Sequence, residues 1–127
     1  MGNMLLVGIG GFLGSIMRFL SSTYIQQFTR GFDFPYGTLT VNILGCFLFG
    51  FFSQLADTLD LFSTESRNFI FIGVLGGFTT YSTFGNDTMD FFLRNKQLPA
   101  ILNIGAHIFF GFIAIWLGRT LPHLMWK

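Results

Sequence analysis

The chain has 127 residues, 51% hydrophobic and 10% charged, with a formal net charge of +1. Its mean hydropathy of +0.60 excludes an ordinary soluble domain, and the near-neutral balance argues against a nucleic-acid partner. Charge-free runs cover residues 1–17, 34–56, 68–86 and 97–118. Each approaches the roughly 20 residues needed to cross a hydrocarbon core. They predict an all-α integral membrane protein, one domain over 1–127, with four transmembrane helices near 3–25, 35–56, 67–92 and 98–120. A cleaved signal peptide competes for the first span, but no Lys or Arg precedes Arg18 and three more spans follow.

The first span carries Gly10 and Gly14, and Gly11 and Ser15, each pair four residues apart on one helix face. Small residues at this spacing let helices approach closely in lipid, so they predict a packing seam; Gly73 and Gly77 repeat it in the third span. Arg18 near the end of the first span has two open readings. It snorkels to the interface, or it gathers anions at a pore mouth.

The second span opens at Pro35, a residue suited to a helix start, and carries Thr38 and Asn42 one turn apart on one face. Asn42 is the most polar group in an otherwise apolar helix. It either bonds a neighbouring helix or turns its NH₂ toward a conduit, and Thr38 below it favours the conduit. Cys46 stands alone, so no intrachain disulfide forms, and a small packing role is expected. Asp57, Asp60 and Glu65 then read as solvated loop charges.

The third span holds Gly76-Gly77-Phe78-Thr79-Thr80-Tyr81-Ser82-Thr83-Phe84 with no charge nearby. Paired glycines and β-branched threonines weaken helix, and irregular polar backbone at membrane depth survives only inside protein or beside water. A break near the middle of this helix is therefore predicted. Freed carbonyls there could hold a cation, as unwound segments do in transporters. Tyr81 and Phe84, three apart, share a face, and aromatic ring edges are electropositive, so with the Ser82 and Thr83 hydroxyls they suit a small, hard anion. Asp87 and Asp90 follow at the far end of this span.

The fourth span places Asn103 and His107 one turn apart, and an ionisable group in a membrane is a functional candidate by default. A neutral, hydrogen-bonded histidine on a bundle face is the competing role. His107 and His123 have no Cys or carboxylate partner at metal-ligand spacing, and no nucleophile–base arrangement is visible, so the chain is expected not to be an enzyme. Lys and Arg are nearly balanced across the membrane: Arg67, Arg119 and Lys127 on one side, Arg30, Arg94 and Lys96 on the other, with Arg18 nearby. Two readings stay open. Either the chain inserts both ways, which would allow an antiparallel pair, or a weak bias escapes the count.

The combination Gly-Thr-Leu-x-Val-Asn at 37–42, the nine-residue run at 76–84, and Gly-x-x-Gly-x-x-x-Arg at 11–18 resembles the CrcB/Fluc fluoride channels over nearly the whole chain. The resemblance implies a dual-topology, antiparallel homodimer in the cell inner (plasma) membrane. It implies two pores for passive, electrogenic export of fluoride and a central structural Na⁺. Carried over by motif, the carbonyls of Gly76 and Thr79 would hold Na⁺. Asn42, Tyr81, Ser82, Thr83 and Phe84 would line or flank the fluoride path, and Arg18 would serve a vestibule. Thr38, Asn103 and His107 join that path from the residue reading above.

Tyr81 stands where the family usually has Phe, adding a hydroxyl to the ring edge. Asn103 and His107 stand where the family's fourth span often offers Ser, Thr or Tyr. A small multidrug-type proton-coupled transporter is the first rival, but it needs a membrane carboxylate, and none is central in any span. A fluoride/proton antiporter is a further variant, with His107 its only core candidate. A non-conducting assembly subunit would explain the glycine strips but not Asn42 with the hydroxyl run.

Overall fold

The computed structural model describes residues 1–125 and is helical almost throughout. Lys127, part of the charge balance above, lies outside the described residues. Helix α1 runs Gly2–Phe28 and α2 runs Tyr36–Leu59. Helix α3 covers 64–78 as three consecutive stretches, Thr64–Arg67, the π-wound Asn68–Leu75, and Gly76–Phe78. Helix α4 is Tyr81–Leu93 and α5 is Gln97–Met125. Three of these, α1, α2 and α5, are each long and apolar enough to cross a membrane. The remaining crossing is the pair α3 and α4, whose interruption leaves neither half long enough alone. This is the broken third helix that the sequence predicted.

The helices outrun their predicted limits, most clearly α1, which continues to Phe28, and α5, which continues to Met125. A charge ends an apolar run without ending a helix, because Arg and Gln are good helix formers. Pro35 caps the start of α2, where its missing N–H costs nothing. The π-winding over 68–75 was not foreseen. There the Gly76 N–H reaches back to the Phe71 carbonyl, and no residue pattern announces it.

Two layers make the bundle: α1 lies against α3, and α2 lies along α5. The glycine spacing in the first and third spans is their seam. A methyl group built on Gly10 would come within 2.6 Å of the Phe69 carbonyl oxygen, and one on Gly77 within 2.6 Å of the Gly11 oxygen. Such contacts leave no room for a side chain, so backbone packs on backbone. Paired glycine therefore does not break the third helix: Gly76 and Gly77 are both helical, and no glycine has positive φ.

The break falls one residue after Phe78. Thr79 (φ −85°, ψ 157°) and Thr80 (φ −148°, ψ 113°) are extended, the conformation that β-branched residues favour. The Thr80 hydroxyl then caps α4 by accepting the Thr83 N–H at 3.2 Å.

α4 ends in a Schellman turn. Asn95 adopts φ 57°, the Lys96 N–H reaches the Phe91 carbonyl at 2.8 Å, and the Asn95 N–H reaches Phe92 at 3.0 Å. That turn carries Arg94 and Lys96 onto Asp33 in the α1–α2 connection, joining the two loops at this end. Outward faces are apolar, with Phe12, Phe109, Phe112 and Trp116 exposed. In a bilayer such groups meet lipid.

Candidate functional site

Asn42 and the break form one unit. The side-chain oxygen of Asn42 accepts the Thr80 N–H at 2.8 Å, and its amide donates to the Thr80 carbonyl at 3.0 Å. One side chain on α2 thereby holds both backbone groups of Thr80 at the interruption, where membrane depth calls for such partners. The bonding role left open for Asn42 is thus occupied, and its amide nitrogen keeps one further N–H. In a regular helix the Thr80 N–H would close onto the Gly76 carbonyl, which therefore loses its ladder donor here.

A groove of about 830 Å³ opens beside this unit between α2, the break, α4 and α5. Asn42, Tyr81, Phe84 and His107 all line it, together with Thr80, Cys46 and Thr88. The rings form a short ladder along α4. Tyr81 meets Phe84 edge-on with centroids 5.6 Å apart, and Phe84 lies 4.2 Å from the imidazole of His107. Tyr81 is 83% exposed in the single chain, so one flank of the groove is open.

The other predicted residues lie elsewhere. Ser82 and Thr83 sit on the exposed first turn of α4, where their hydroxyls meet that of Thr80 at 3.3 and 3.0 Å rather than lining the groove. Asn103 is fully buried between α4 and α5 and donates to the Thr88 hydroxyl at 2.9 Å. The Thr88 hydroxyl in turn donates to the Phe84 carbonyl at 2.8 Å. Asn103 thus positions the wall that carries Phe84. Thr38 lines a separate pocket of about 310 Å³ toward the Asp33 end, with Asp87, Asp90, Gln26 and Arg94.

Arg18 reaches the break itself, its guanidinium 3.3 Å from the Thr79 carbonyl oxygen. This bears on the cation expected there. Carbonyl oxygen is suitable chemistry for a hard cation such as Na⁺, and the freed Gly76 carbonyl fits that role. The Thr79 carbonyl does not fit while a guanidinium donates to it.

Sequence reading passed over Asp87, treating it as a residue at the far end of the span. It is half-buried, and one carboxylate oxygen, Oδ2, is enclosed without a hydrogen-bond partner among the described residues. The signal was available in the spacing: Thr80, Phe84, Asp87 and Phe91 recur at helical intervals and mark the inward face of α4. At the Asp33 end, the hydrogen bond from Lys96, aided by the charges of Arg94 and Lys96, holds the Asp33 carboxyl below the ordinary carboxylate range despite slight desolvation.

These features define a multi-pass membrane protein whose third crossing is interrupted at a polar, aromatic-walled groove. The chain belongs to the CrcB family: residues 5–119 match the family described as CrcB-like protein, Camphor Resistance (CrcB). It is 39% identical over 116 residues to fluoride-specific ion channel FluC 3 of Methanosarcina barkeri, covering 91% of this chain and 86% of that one. It is 43% identical over 114 residues to fluoride-specific ion channel FluC of Hydrogenovibrio crunogenus, covering 88% and 84%. A FluC of Dehalococcoides mccartyi is 37% identical over 126 residues, covering 98% and 95%. Family membership and the apolar helices make this a multi-pass plasma-membrane protein, and the family is one of channels rather than enzymes.

Proposed function

We infer that this protein is a fluoride-selective channel that lets cytoplasmic fluoride leave passively down its electrochemical gradient. The observation that carries the reading is the groove holding Asn42, Tyr81, Phe84 and His107 together, in a chain that matches fluoride-specific channels along most of its length. An inside-negative potential favours anion exit by about 2.3 kcal/mol per charge per 100 mV, so no other energy source is needed. Ring edges and N–H donors can replace an anion's water gradually without the tight hold of a dedicated guanidinium, which would slow release.

We further infer an antiparallel homodimer, in which a second copy covers the open flank at Tyr81 and closes the groove into a pore, two pores per dimer. The near balance of Lys and Arg supports it, since neither orientation is strongly favoured. In the same reading a structural Na⁺ lies where the two breaks meet, held by the Gly76 carbonyls. Thr79 joins it only if Arg18 lets go of its carbonyl.

The test is anion efflux from liposomes holding purified protein, fluoride against chloride, at equal pH on both sides. Fast electrogenic fluoride efflux with chloride excluded is expected. Efflux that needs a proton gradient would overturn the channel and favour antiport. Single-molecule counting of subunits and accessibility labelling of both termini test the antiparallel pair, and a single orientation would refute it.

A further inference from the structure

The interruption between Phe78 and Tyr81 frees backbone carbonyls as well as N–H groups, and at membrane depth each carbonyl needs a donor or a cation. Asn42 serves Thr80. The Thr79 carbonyl is a separate case. In an unbroken helix it would accept the Thr83 N–H, but that N–H is given to the Thr80 hydroxyl at 3.2 Å. Arg18 Nη1 donates to Thr79 in its place, at 3.3 Å.

The position of Arg18 follows from the glycine seam. A methyl built on Gly14 would lie 2.9 Å from the Phe78 nitrogen, so α1 meets the last turn before the break at that residue. Arg18 is one turn further along the same face, which brings its long arm within reach of Thr79. It is half-buried there and makes no ion pair among the described residues, unlike Arg94 and Arg119. The guanidinium charge therefore has the carbonyl dipole of the break as its partner. The carbonyl, in turn, has a cation supplied by its own chain.

We propose that the Arg18 guanidinium is the resident cation of the break, and that a metal ion reaches the Thr79 carbonyl only by displacing it. The proposal rests on the structural Na⁺ reading above and deepens it. The Gly76 carbonyl, whose ladder donor goes to Asn42, is open to a metal ion, whereas that of Thr79 is contested. A carbonyl oxygen has two lone pairs, but a guanidinium and a metal ion on one oxygen are like charges in close contact. Their repulsion is strong away from bulk water. By reciprocity, whatever the guanidinium costs the metal ion, the metal ion costs the guanidinium. Arg18 is thus a positioning residue for the break.

Threonine labelled with ¹³C at its carbonyl and ¹⁵N at its amide reads this contact. Thr79-Thr80 is the one Thr-Thr pair in the chain, so the Thr79 carbonyl is the only labelled carbon bonded to a labelled nitrogen. Glycine labelled the same way selects Gly10 and Gly76. In Na⁺-free proteoliposomes, with choline holding ionic strength constant, solid-state dipolar recoupling should show the Thr79 carbon close to ¹⁵Nη-arginine. Added Na⁺ should erase that contact, and this arm needs no substitution. Arg18→Ala should shift the Thr79 signal without Na⁺ present. It should also lower the Na⁺ concentration that half-shifts the Thr79 and Gly76 signals by about tenfold or more, as loss of a charge-assisted contact predicts. Arg30→Ala removes the same charge from the exposed α1–α2 connection and should leave the midpoint at its parent value.

A missing Thr79–arginine contact in the Na⁺-free parent would overturn the proposal. So would a contact that survives saturating Na⁺, or equal Na⁺ midpoints in the parent and Arg18→Ala. In each of these cases a Gly76 signal that still follows Na⁺ keeps the metal reading standing. If Na⁺ moves Gly76 in none of the proteins, the metal reading itself fails and the competition fails with it. Fluoride flux on the same preparations tests the channel separately.

Discussion

Replacing Asn42 by Ala removes two hydrogen bonds at once, those of 2.8 and 3.0 Å to the Thr80 N–H and carbonyl. Both backbone groups lie at the interruption, and Thr80 is buried. Interhelical hydrogen bonds in membranes contribute about 0.6 to 1.7 kcal/mol each, which puts the loss at roughly 1–3 kcal/mol. That corresponds to a shift of about five- to 150-fold in the unfolding equilibrium. The assay is equilibrium unfolding in mixed detergent, with fluoride flux measured on the same preparations.

We expect Asn42→Ala to lower stability and to lose flux. Asn42→Asp keeps the acceptor for Thr80 N–H but loses the donor, and adds a charge that repels anions. It should lose flux more completely than its stability loss accounts for. If Asn42→Ala unfolds within about 0.5 kcal/mol of the parent, the break is not held by this side chain and the argument fails, since surface-like substitutions fall in that range.

Phe84→Ile should slow fluoride flux while leaving the proposed dimer unchanged on size-exclusion chromatography, and unchanged flux would remove Phe84 from the path. Tyr81→Phe keeps the ring edge that meets Phe84 and should retain fluoride flux, so loss of flux would assign a role to the hydroxyl. Gly14→Ala drives a methyl into the Val74 carbonyl and should cost about 1–3 kcal/mol, whereas Gly105→Ala meets nothing within 4 Å and should be neutral or slightly stabilising in the same unfolding assay. Asp33, with its folded pKa depressed by Lys96 and Arg94, stabilises above its unfolded pKa. That contribution is lost as pH falls through the folded value, so the melting temperature of the parent should drop more steeply below about pH 4 than that of Asp33→Asn.

The helical architecture was legible because lipid removes the alternatives: charge-free runs of this length can only be spanning helices, and small residues four apart can only be seams. The third crossing shows the limit. Its composition announced a break and offered two causes, of which the β-branched threonines hold and the paired glycines do not. Gly76 and Gly77 are helical and serve close contact with α1, whereas Thr79 and Thr80 depart from the helix. A glycine that permits a bend and a glycine that permits contact look alike in one sequence, and only the partner helix distinguishes them. Asp87 was missed because acidity near a predicted helix end resembles a solvated terminus, and its enclosure depends on how α4 leans on its neighbours.

Asn42, Thr80 and Asn103 share a physical logic that explains why the groove is walled as it is. A broken helix in lipid needs rigid partners for its freed backbone groups, and Asn42 supplies them for Thr80 from α2. The half-helix that follows must then be held at a fixed rotation, or Tyr81 and Phe84 would not face one direction. Asn103 supplies that restraint through Thr88 to the Phe84 carbonyl. His107 hangs from the same carbonyl-bearing turn, bonded to the Asn103 backbone, so its orientation depends on the residue that orients Phe84. Asn103→Leu should therefore disturb both the aromatic ladder and the imidazole, lowering flux and broadening the His107 resonances together. If flux falls while those resonances stay sharp and unshifted, the two walls are not coupled through Asn103.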